Sequence, residues 1–224
     1  MAVGYNPRAV TDGLVLALDA GNTKSYPGSG TTWTDLIGNG NNGTLTNGPT
    51  FSSADGGAIV FDGTDDVVIV ANMSTFAPTA VTFETWFKHT YSAGYKGLID
   101  KGRDNYEGYS LNIDEISRKT RFKVRVGSSN KAVSCSTEYV DDVWNHVVGT
   151  YDGTDLKIYL NGSLDGTTNA PGTMGSNTID VRIGSTNDDI EYDGNIAISR
   201  IYNRALTATE ITQNYNATKG RFGL

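Results

Sequence analysis

The segment Gly194–Tyr215, GNIAISRIYNRALTATEITQNY, holds the switch that decides the fold. Its first half places apolar residues at Ile196, Ile198 and Ile201-Tyr202, about every second position with one slip, which is the period of a half-buried strand. Its second half opens on Thr207, a good N-cap, with Glu210 three residues on as the reciprocal partner of a capping box. Leu206, just before the cap, is placed to staple onto Ile211, and Ile211 and Tyr215 share one helical face. A strand therefore runs into one short helix near the C-terminal end. Nearly everything before it reads as strands and turns.

A chain of 224 residues fits one large all-β domain and is long enough to bury its own core. Its 27 Gly against 5 Pro, with Asn, Thr, Asp and Ser crowding the connections, suits many short strands joined by tight turns. The net charge of −7 argues against a nucleic-acid partner, which would call for a basic surface. Cys135 is the single cysteine, so no intrachain disulfide forms. The opening MAVGYNPRAV has no signal-peptide apolar run, and no stretch approaches the roughly 20 apolar residues of a membrane span. The expectation is a protein made in a cytosol without a cleaved signal.

Working outward, Met1 to Gly13 read as an N-terminal arm, and Leu14–Asp19 as a buried strand. Ala20 to Pro49 read as a long loop tied down by Trp33. Ile59–Phe61 and Val67–Val70 flank the turn Asp62-Gly63-Thr64-Asp65-Asp66 and predict a hairpin. Phe83 to Lys88 carry aromatic groups on both faces, which predicts a central strand. Gly97 to Lys101, Tyr109 to Ile113, Arg121 to Val126 and Ala132 to Ser136 predict a meander. Trp144–Tyr151, Leu156–Leu160 and a strand from Ser163 follow, the last joined by Asn161-Gly162, the dipeptide of a type I′ turn. Ile179–Ile183 is one more strand before the closing segment. About a dozen strands at this turn spacing predict a two-sheet antiparallel jelly-roll sandwich with one short C-terminal helix. The domain spans residues 14–217, and residues 218–224 form a C-terminal tail.

Several motifs in order carry a family resemblance: Asn39-Gly40-Asn41-Asn42-Gly43-Thr44-Leu45, Phe61-Asp62-Gly63, Trp144-Asn145-His146-Val147-Val148, Tyr151-Asp152-Gly153 to Tyr159-Leu160-Asn161-Gly162, and Ile201-Tyr202-Asn203-Arg204-Ala205-Leu206. The series resembles the laminin-G-like branch of the concanavalin A-like lectin/glucanase superfamily. The resemblance implies a jelly roll with a concave face that binds glycans in many relatives, and calcium sites in many of them. The closing Asn214-Tyr215-Asn216-Ala217-Thr218-Lys219-Gly220-Arg221-Phe222-Gly223-Leu224 is similar to the ends of such domains in structural proteins of bacterial viruses.

The hydrolases of that superfamily carry a Glu-x-Asp-x-x-Glu run. Here Glu191-Tyr192-Asp193 continues into Gly194-Asn195-Ile196, so the third carboxylate is missing and catalysis is not expected. His146 reads as a packing and hydrogen-bonding residue, and His89 as solvated. Asp19, Asn22, Asp62 and Asp193 are the candidate calcium ligands, set against the preferred reading that Asp and Asn cap their own turns. Relatives often carry Asp where this chain has Ala197, which weakens an inherited calcium site. Trp86, Tyr91, Tyr95, Tyr106, Tyr109 and Arg125 are the candidate glycan or partner contacts. The leading expectation is a non-enzymatic structural protein of a bacteriophage virion, a capsid-decorating or appendage subunit. Its partners would be other virion proteins, attached through arms, loops and strand edges, with glycans touched on the distal face. The alternative is a stand-alone carbohydrate-binding adhesion module.

Overall fold

The computed structural model describes residues 8–224 except 72, 74–77, 92–93, 103–107, 115, 176 and 187–189. The strands are β1 (Leu14–Asp19), β2 (Thr32–Trp33), β3 (Gly43–Thr46), β4 (Thr50–Ser52), β5 (Ala58–Asp62), β6 (Val67–Val70), β7 (Val81–Lys88) and β8 (Tyr95–Lys101). They continue as β9 (Tyr109–Asp114), β10 (Lys119–Val126), β11 (Ser129–Ser134), β12 (Trp144–Tyr151), β13 (Asp155–Leu160), β14 (Ser163–Asn169), β15 (Val181–Ile183) and β16 (Asp193–Tyr202), followed by helix α1 (Ala208–Thr218). Two eight-stranded antiparallel sheets result. The first runs β14-β13-β12-β7-β16-β5-β4 with β1 also paired to β16, and the second runs β11-β10-β9-β8-β15-β6-β3-β2. This is the expected all-β, two-sheet sandwich with one short C-terminal helix.

β7 lies between β12 and β16, at the centre of the first sheet. Alternation sends Phe83 and Phe87 into the core between the sheets, where Phe83 meets Tyr109 and Phe122 of the second sheet edge-on. The same alternation sends Glu84 and Trp86 to the opposite face, where α1 covers them. The slip seen in the sequence of β16 is a bulge. Its register shifts between Ile196 and Ile198, so Ile196 faces the inter-sheet core while Ala197 and Ile198 join the cluster under the helix. The bulge also divides the strand's edge: Asp193–Ile196 pair with β5, and Ile198–Tyr202 pair with β1.

The helix start is as the sequence predicts. Thr207 caps the Glu210 amide, and the Glu210 carboxylate accepts from the Thr207 amide, completing the capping box. Leu206 and Ile211 pack in one cluster.

Two expectations about the connections change. The Asp62–Asp66 turn is not a hairpin, because β5 belongs to the first sheet and β6 to the second; the turn carries the chain between sheets. The long loop after β1 contains β2 and β3, too short to show a period. It is tied down as expected, with Trp33 fully buried and the Asp35 carboxylate accepting the amides of Ala17 and Ile37.

Both chain ends, expected to project, pack in their described portions onto the outer face of the first sheet. Val10 is buried, its amide donating to Asn214 Oδ1 and its carbonyl accepting from the Tyr202 hydroxyl. Lys219–Phe222 form a 3-10 turn that seats the Phe222 ring 4.3 Å from Trp86 and 4.7 Å from Trp144, while Arg221 pairs with Asp19. Apolar burial explains both: the outer face of a central strand bearing Trp86 must be covered.

Candidate functional site: a groove on the second sheet

β10 reads Lys-Thr-Arg-Phe-Lys-Val-Arg from Lys119. Its pleat buries Thr120, Phe122 and Val124 and turns Lys119, Arg121, Lys123 and Arg125 outward. Across the ladder, Arg121 faces Asn112 and Lys123 faces Ser110 on β9. On β8, Tyr95 faces Asp114, Gly97 faces Asn112, and Asp100 faces Ser110. Asp100 in turn faces Arg182 on β15. One outer sheet face thus collects a tyrosine, amide and hydroxyl groups, and charges of both signs.

After β15, Thr186 and Ile190 stand over this face, beside a bridge between Ser185 and Glu191. Thr186 and Ile190 are held to each other, the Thr186 amide donating to the Ile190 carbonyl and the Ile190 amide to Thr186 Oγ1. Arg182 Nη1 donates to the Thr186 carbonyl at 3.1 Å. Tyr95, Asp100, Asn112, Arg121, Lys123, Thr186 and Ile190 line a groove of about 240 Å³. Gly97 lets the wall come this close, since a Cβ there would lie 2.5 Å from the Ser185 carbonyl carbon and 2.7 Å from the Thr186 nitrogen. Gly97→Ala is therefore expected to push backbone against backbone and cost about 1–3 kcal/mol. Urea denaturation checks this; an unchanged midpoint would mean that the wall does not press on β8.

Of the residues singled out from sequence, Tyr95 stands in the groove with 41% of its surface exposed, and Arg125 extends the same outward row. Tyr91 is half-exposed and sits under the Arg118 guanidinium, 5.4 Å from its ring centre, outside the groove lining. Trp86 and Tyr109 are buried and lie outside the groove lining. Trp86 is fully enclosed by Tyr215 and Phe222, and Tyr109 is 2% exposed against Phe83. Tyr106 lies outside the described residues. Sequence reasoning missed Asp100, Asn112, Arg121, Lys123, Thr186 and Ile190. The signal for two of them was legible: four cations at alternate positions of one strand.

The candidate calcium ligands fall in two places. Asp19 accepts from the Gly21 amide and is ion-paired with Arg221, so a guanidinium already occupies the position a divalent cation would need. Asn22 Oδ1 accepts the Lys24 amide. Asp62 and Asp193 are cross-strand partners five positions along β16 from the Asp19 pairing at Ile198, and Asp193 lies 3.6 Å from Lys96 Nζ. Asp62 instead clusters with Asp65 and Asp66. Burial, with the Asp62 and Asp65 charges, pushes the Asp66 carboxyl up against the opposing hydrogen bond from the Asp62 amide. Asp62 also caps the Thr64 amide, as the turn-capping reading has it.

Other reactive groups are structural. Burial pushes the Cys135 thiol up to about 12, which leaves it unreactive. His146 Nε2 lies 3.1 Å from Glu84 Oε1 under the helix, the hydrogen-bonding role expected for it. His89 is buried rather than solvated, its Nδ1 2.6 Å from the Asp193 carbonyl oxygen. Among the described residues, no helix is long and apolar enough to cross a membrane.

Two face-packed antiparallel sheets with this order, a capped helix on one outer face and a groove on the other, define a lectin-type sandwich. A sequence-family comparison matches residues 62–212 to the laminin-G-like group of the concanavalin A-like lectin/glucanases superfamily, and the chain belongs to that family. Comparison with curated proteins gives no match. Among solved structures, the chain is similar to domain 4 of AbnA, an extracellular GH43 arabinanase from Geobacillus stearothermophilus solved with arabinotriose. They share 20% identity at a TM-score of 0.71, over 90% of this chain and 98% of that one. It is also similar to the binding domain of Paraclostridial Mosquitocidal Protein 1 (15% identity, TM-score 0.71) and to Trypanosoma rangeli sialidase with the inhibitor DANA (17% identity, TM-score 0.68). Those matches cover 92% of this chain but only 52% and 33% of the other two.

Proposed function

We propose that the protein is a non-catalytic glycan-binding module whose site is the groove across β8, β9 and β10. The observation that carries this is the exposed Tyr95 ring beside a floor of Asn112, Arg121 and Lys123. A ring can stack on a sugar's apolar face while the polar groups engage its hydroxyls, and a few convergent polar groups in a concavity are what orient a small ligand. Support comes from the arabinanase domain, which was solved with arabinotriose. Catalysis is left out of the proposal on the chemistry of the lining. Glycoside hydrolysis uses two carboxylates flanking the bond, and the described lining offers one, Asp100, which accepts the Gly102 amide.

The test is calorimetric titration of the full chain with a panel of oligosaccharides, neutral and charged, in calcium and in chelator. Binding to at least one glycan is expected, with Tyr95→Ala weakening it by about 1 kcal/mol, several-fold in Kd. A panel without any binder would sink the proposal, and a chelator effect would bring the Asp62–Asp65–Asp66 turn into it.

The setting we infer is a bacteriophage virion, in a decorating or appendage subunit. The closing sequence, similar to the ends of such domains in phage structural proteins, favours this reading. Because Phe222 is seated against Trp86 of β7 and Trp144 of β12, attachment falls to strand edges such as β14 and to surface loops. Counting copies of this chain per major capsid protein in purified particles, by quantitative mass spectrometry, tests the setting. A fixed ratio is expected; absence from particles would leave the stand-alone glycan-binding module.

A further inference from the structure

We infer that Lys101 and Asn177 join side chain to side chain in an amide cross-link, formed by the folded chain itself with release of ammonia. Lys101 ends β8 and is 0% exposed, although a lysine is almost never fully buried unless its charge is paired. Its Nζ is taken up by the segment that leads into β15. It lies 2.7 Å from the Ile179 carbonyl oxygen, 3.4 Å from the Asn177 carbonyl oxygen and 3.2 Å from Asn177 Oδ1. Asn177 reciprocates, its Nδ2 donating to the Lys101 carbonyl at 3.0 Å. Gly108 leaves room for the pair, since a Cβ there would lie 2.1 Å from the Lys101 carbonyl oxygen and 2.8 Å from Asn177 Nδ2. Two side chains 76 positions apart are thus locked face to face.

The pair carries what an amide exchange needs: a nucleophile, a polarised carbonyl and a held leaving group. Burial, opposed by the Asp180 charge, brings the Lys101 amine down to about 8, so a usable share of it is uncharged near neutral pH. The Ile179 amide donates to Asn177 Oδ1 at 2.9 Å, on the oxygen where negative charge develops as the amine adds to Cγ. With Oδ1 3.2 Å from Nζ and a carbonyl bond of about 1.2 Å, Cγ lies within about 4.4 Å of the nitrogen, a side-chain rotation from attack distance. The Nζ–Cγ bond forms and the Cγ–Nδ2 bond breaks. Nδ2 leaves as ammonia, taking the proton that Nζ gives up. Asp180, near enough for its charge to act on Nζ, is the group placed to carry that proton, directly or through one water. No oxidant or cofactor enters the balance.

The bond would fasten a strand that is otherwise lightly held. β15 has three residues, of which two pair with β8 and three with β6. The chain beyond it brings Thr186 and Ile190 to the groove wall, so an amide bond just before β15 anchors that wall to β8. It closes a long loop, where a covalent link removes the most freedom from the unfolded chain. It also does so in a chain whose single cysteine cannot form an internal disulfide, and it holds in a reducing environment.

Intact-mass spectrometry of the purified full chain, followed by a tryptic digest, tests this. The expected mass is about 17 Da below the sequence value, the loss of one ammonia. The digest should contain a branched peptide joining the segment with Lys101 to the segment with Asn177, uncut after Lys101. Lys101→Arg keeps a cation but removes the nucleophile, and should restore the full mass. Asp180→Asn should leave a larger uncross-linked fraction at purification. If Lys101→Arg does not fold, the wild-type digest decides alone. A wild-type chain still at its full sequence mass after prolonged incubation at about pH 8.5, where more of the amine is uncharged, would overturn the inference and leave the two side chains joined by hydrogen bonds only. The same mass deficit placed by the digest at another asparagine, as a cyclic imide, would overturn it equally.

Discussion

Trp86→Ala is expected to lower stability by about 3–5 kcal/mol, the cost of removing a fully buried indole and leaving a cavity. No part of the Trp86 side chain reaches solvent. Tyr215 stacks on it at 5.6 Å, Phe222 at 4.3 Å, and the His146 ring lies 4.9 Å away. Its Nε1 donates to Thr218 Oγ1 at 2.9 Å, and Thr218 Oγ1 donates on to the Asn214 carbonyl. The indole therefore joins the middle of the first sheet to the last turn of α1 and to the closing 3-10 turn. In a domain of this size such a loss lowers Tm by roughly 6–20 °C. Trp86→Phe should retain the stack and forfeit mainly the hydrogen bond, about 1 kcal/mol. Limited proteolysis should then cut Trp86→Ala first near Lys219 and Arg221, because Phe222 has lost its seat. An Ala variant with wild-type melting would show that the helix is held by something other than this ring.

The same contacts explain what the sequence could and could not reveal. The strand-to-helix switch was legible because its signals are local: the alternation of β16, the Thr207–Glu210 box and the Leu206 staple all lie within one segment. The slip in that alternation was visible too, but only the ladder identifies it as the bulge that shares one strand edge between β1 and β5. β2 and β3 have two and four residues and leave no period to detect. Which face of β7 met the helix depended on long-range packing. Trp86 therefore looked like an available aromatic when it is fully enclosed on that face. The ends misled for a related reason, since Val10 and Phe222 are isolated apolar residues in polar surroundings that find a partner only once the sheet exists.

Little of the groove was legible. Tyr95 and Arg125 were in view, but the site is assembled from β8, β9, β10 and the chain after β15, with partners up to about 90 positions apart in sequence. No local pattern links Arg121 to Thr186. What the sequence did contain was the basic alternation of β10, and its meaning appears only when the buried positions between the cations fix which face they share.

The second large effect is expected in acid, from a cluster that no motif announced. Glu84 is fully buried on the helix side of β7. Arg200 Nη1 donates to its Oε1 at 2.7 Å, His146 Nε2 lies 3.1 Å from the same oxygen, and Asn214 Nδ2 donates to Oε2 at 2.7 Å. Asn214 also donates to the Tyr202 hydroxyl and accepts the Val10 amide, so the carboxylate ties β7, β16, α1 and the N-terminal segment together. Burial alone would push the Glu84 carboxyl up; Arg200, followed by His146 and Asn214, outweighs it and holds the group at about 2, below its ordinary 4.5. A carboxyl whose folded pKa lies below its unfolded value adds stability above the unfolded pKa and loses it as the pH falls through the folded one. The window is therefore from pH 4.5 down to about 2, and the loss there is about 3 kcal/mol. Glu210 titrates in the same direction, since the Arg204 hydrogen bonds, offset in part by burial, hold it at about 2 as well. Glu84→Gln should cost about 3–5 kcal/mol at neutral pH, because it strands the Arg200 guanidinium in the interior, and should flatten the acid limb of the stability curve. Glu84→Gln/Glu210→Gln should be flatter still. Denaturant melts at a series of pH values from 7 to about 2 read both effects. An acid limb as steep in Glu84→Gln as in the wild type would show that this carboxylate is not what acid removes. A steep limb in the wild type that flattens in Glu84→Gln would place the first step of acid unfolding at the joint between the central strand and the helix that covers it.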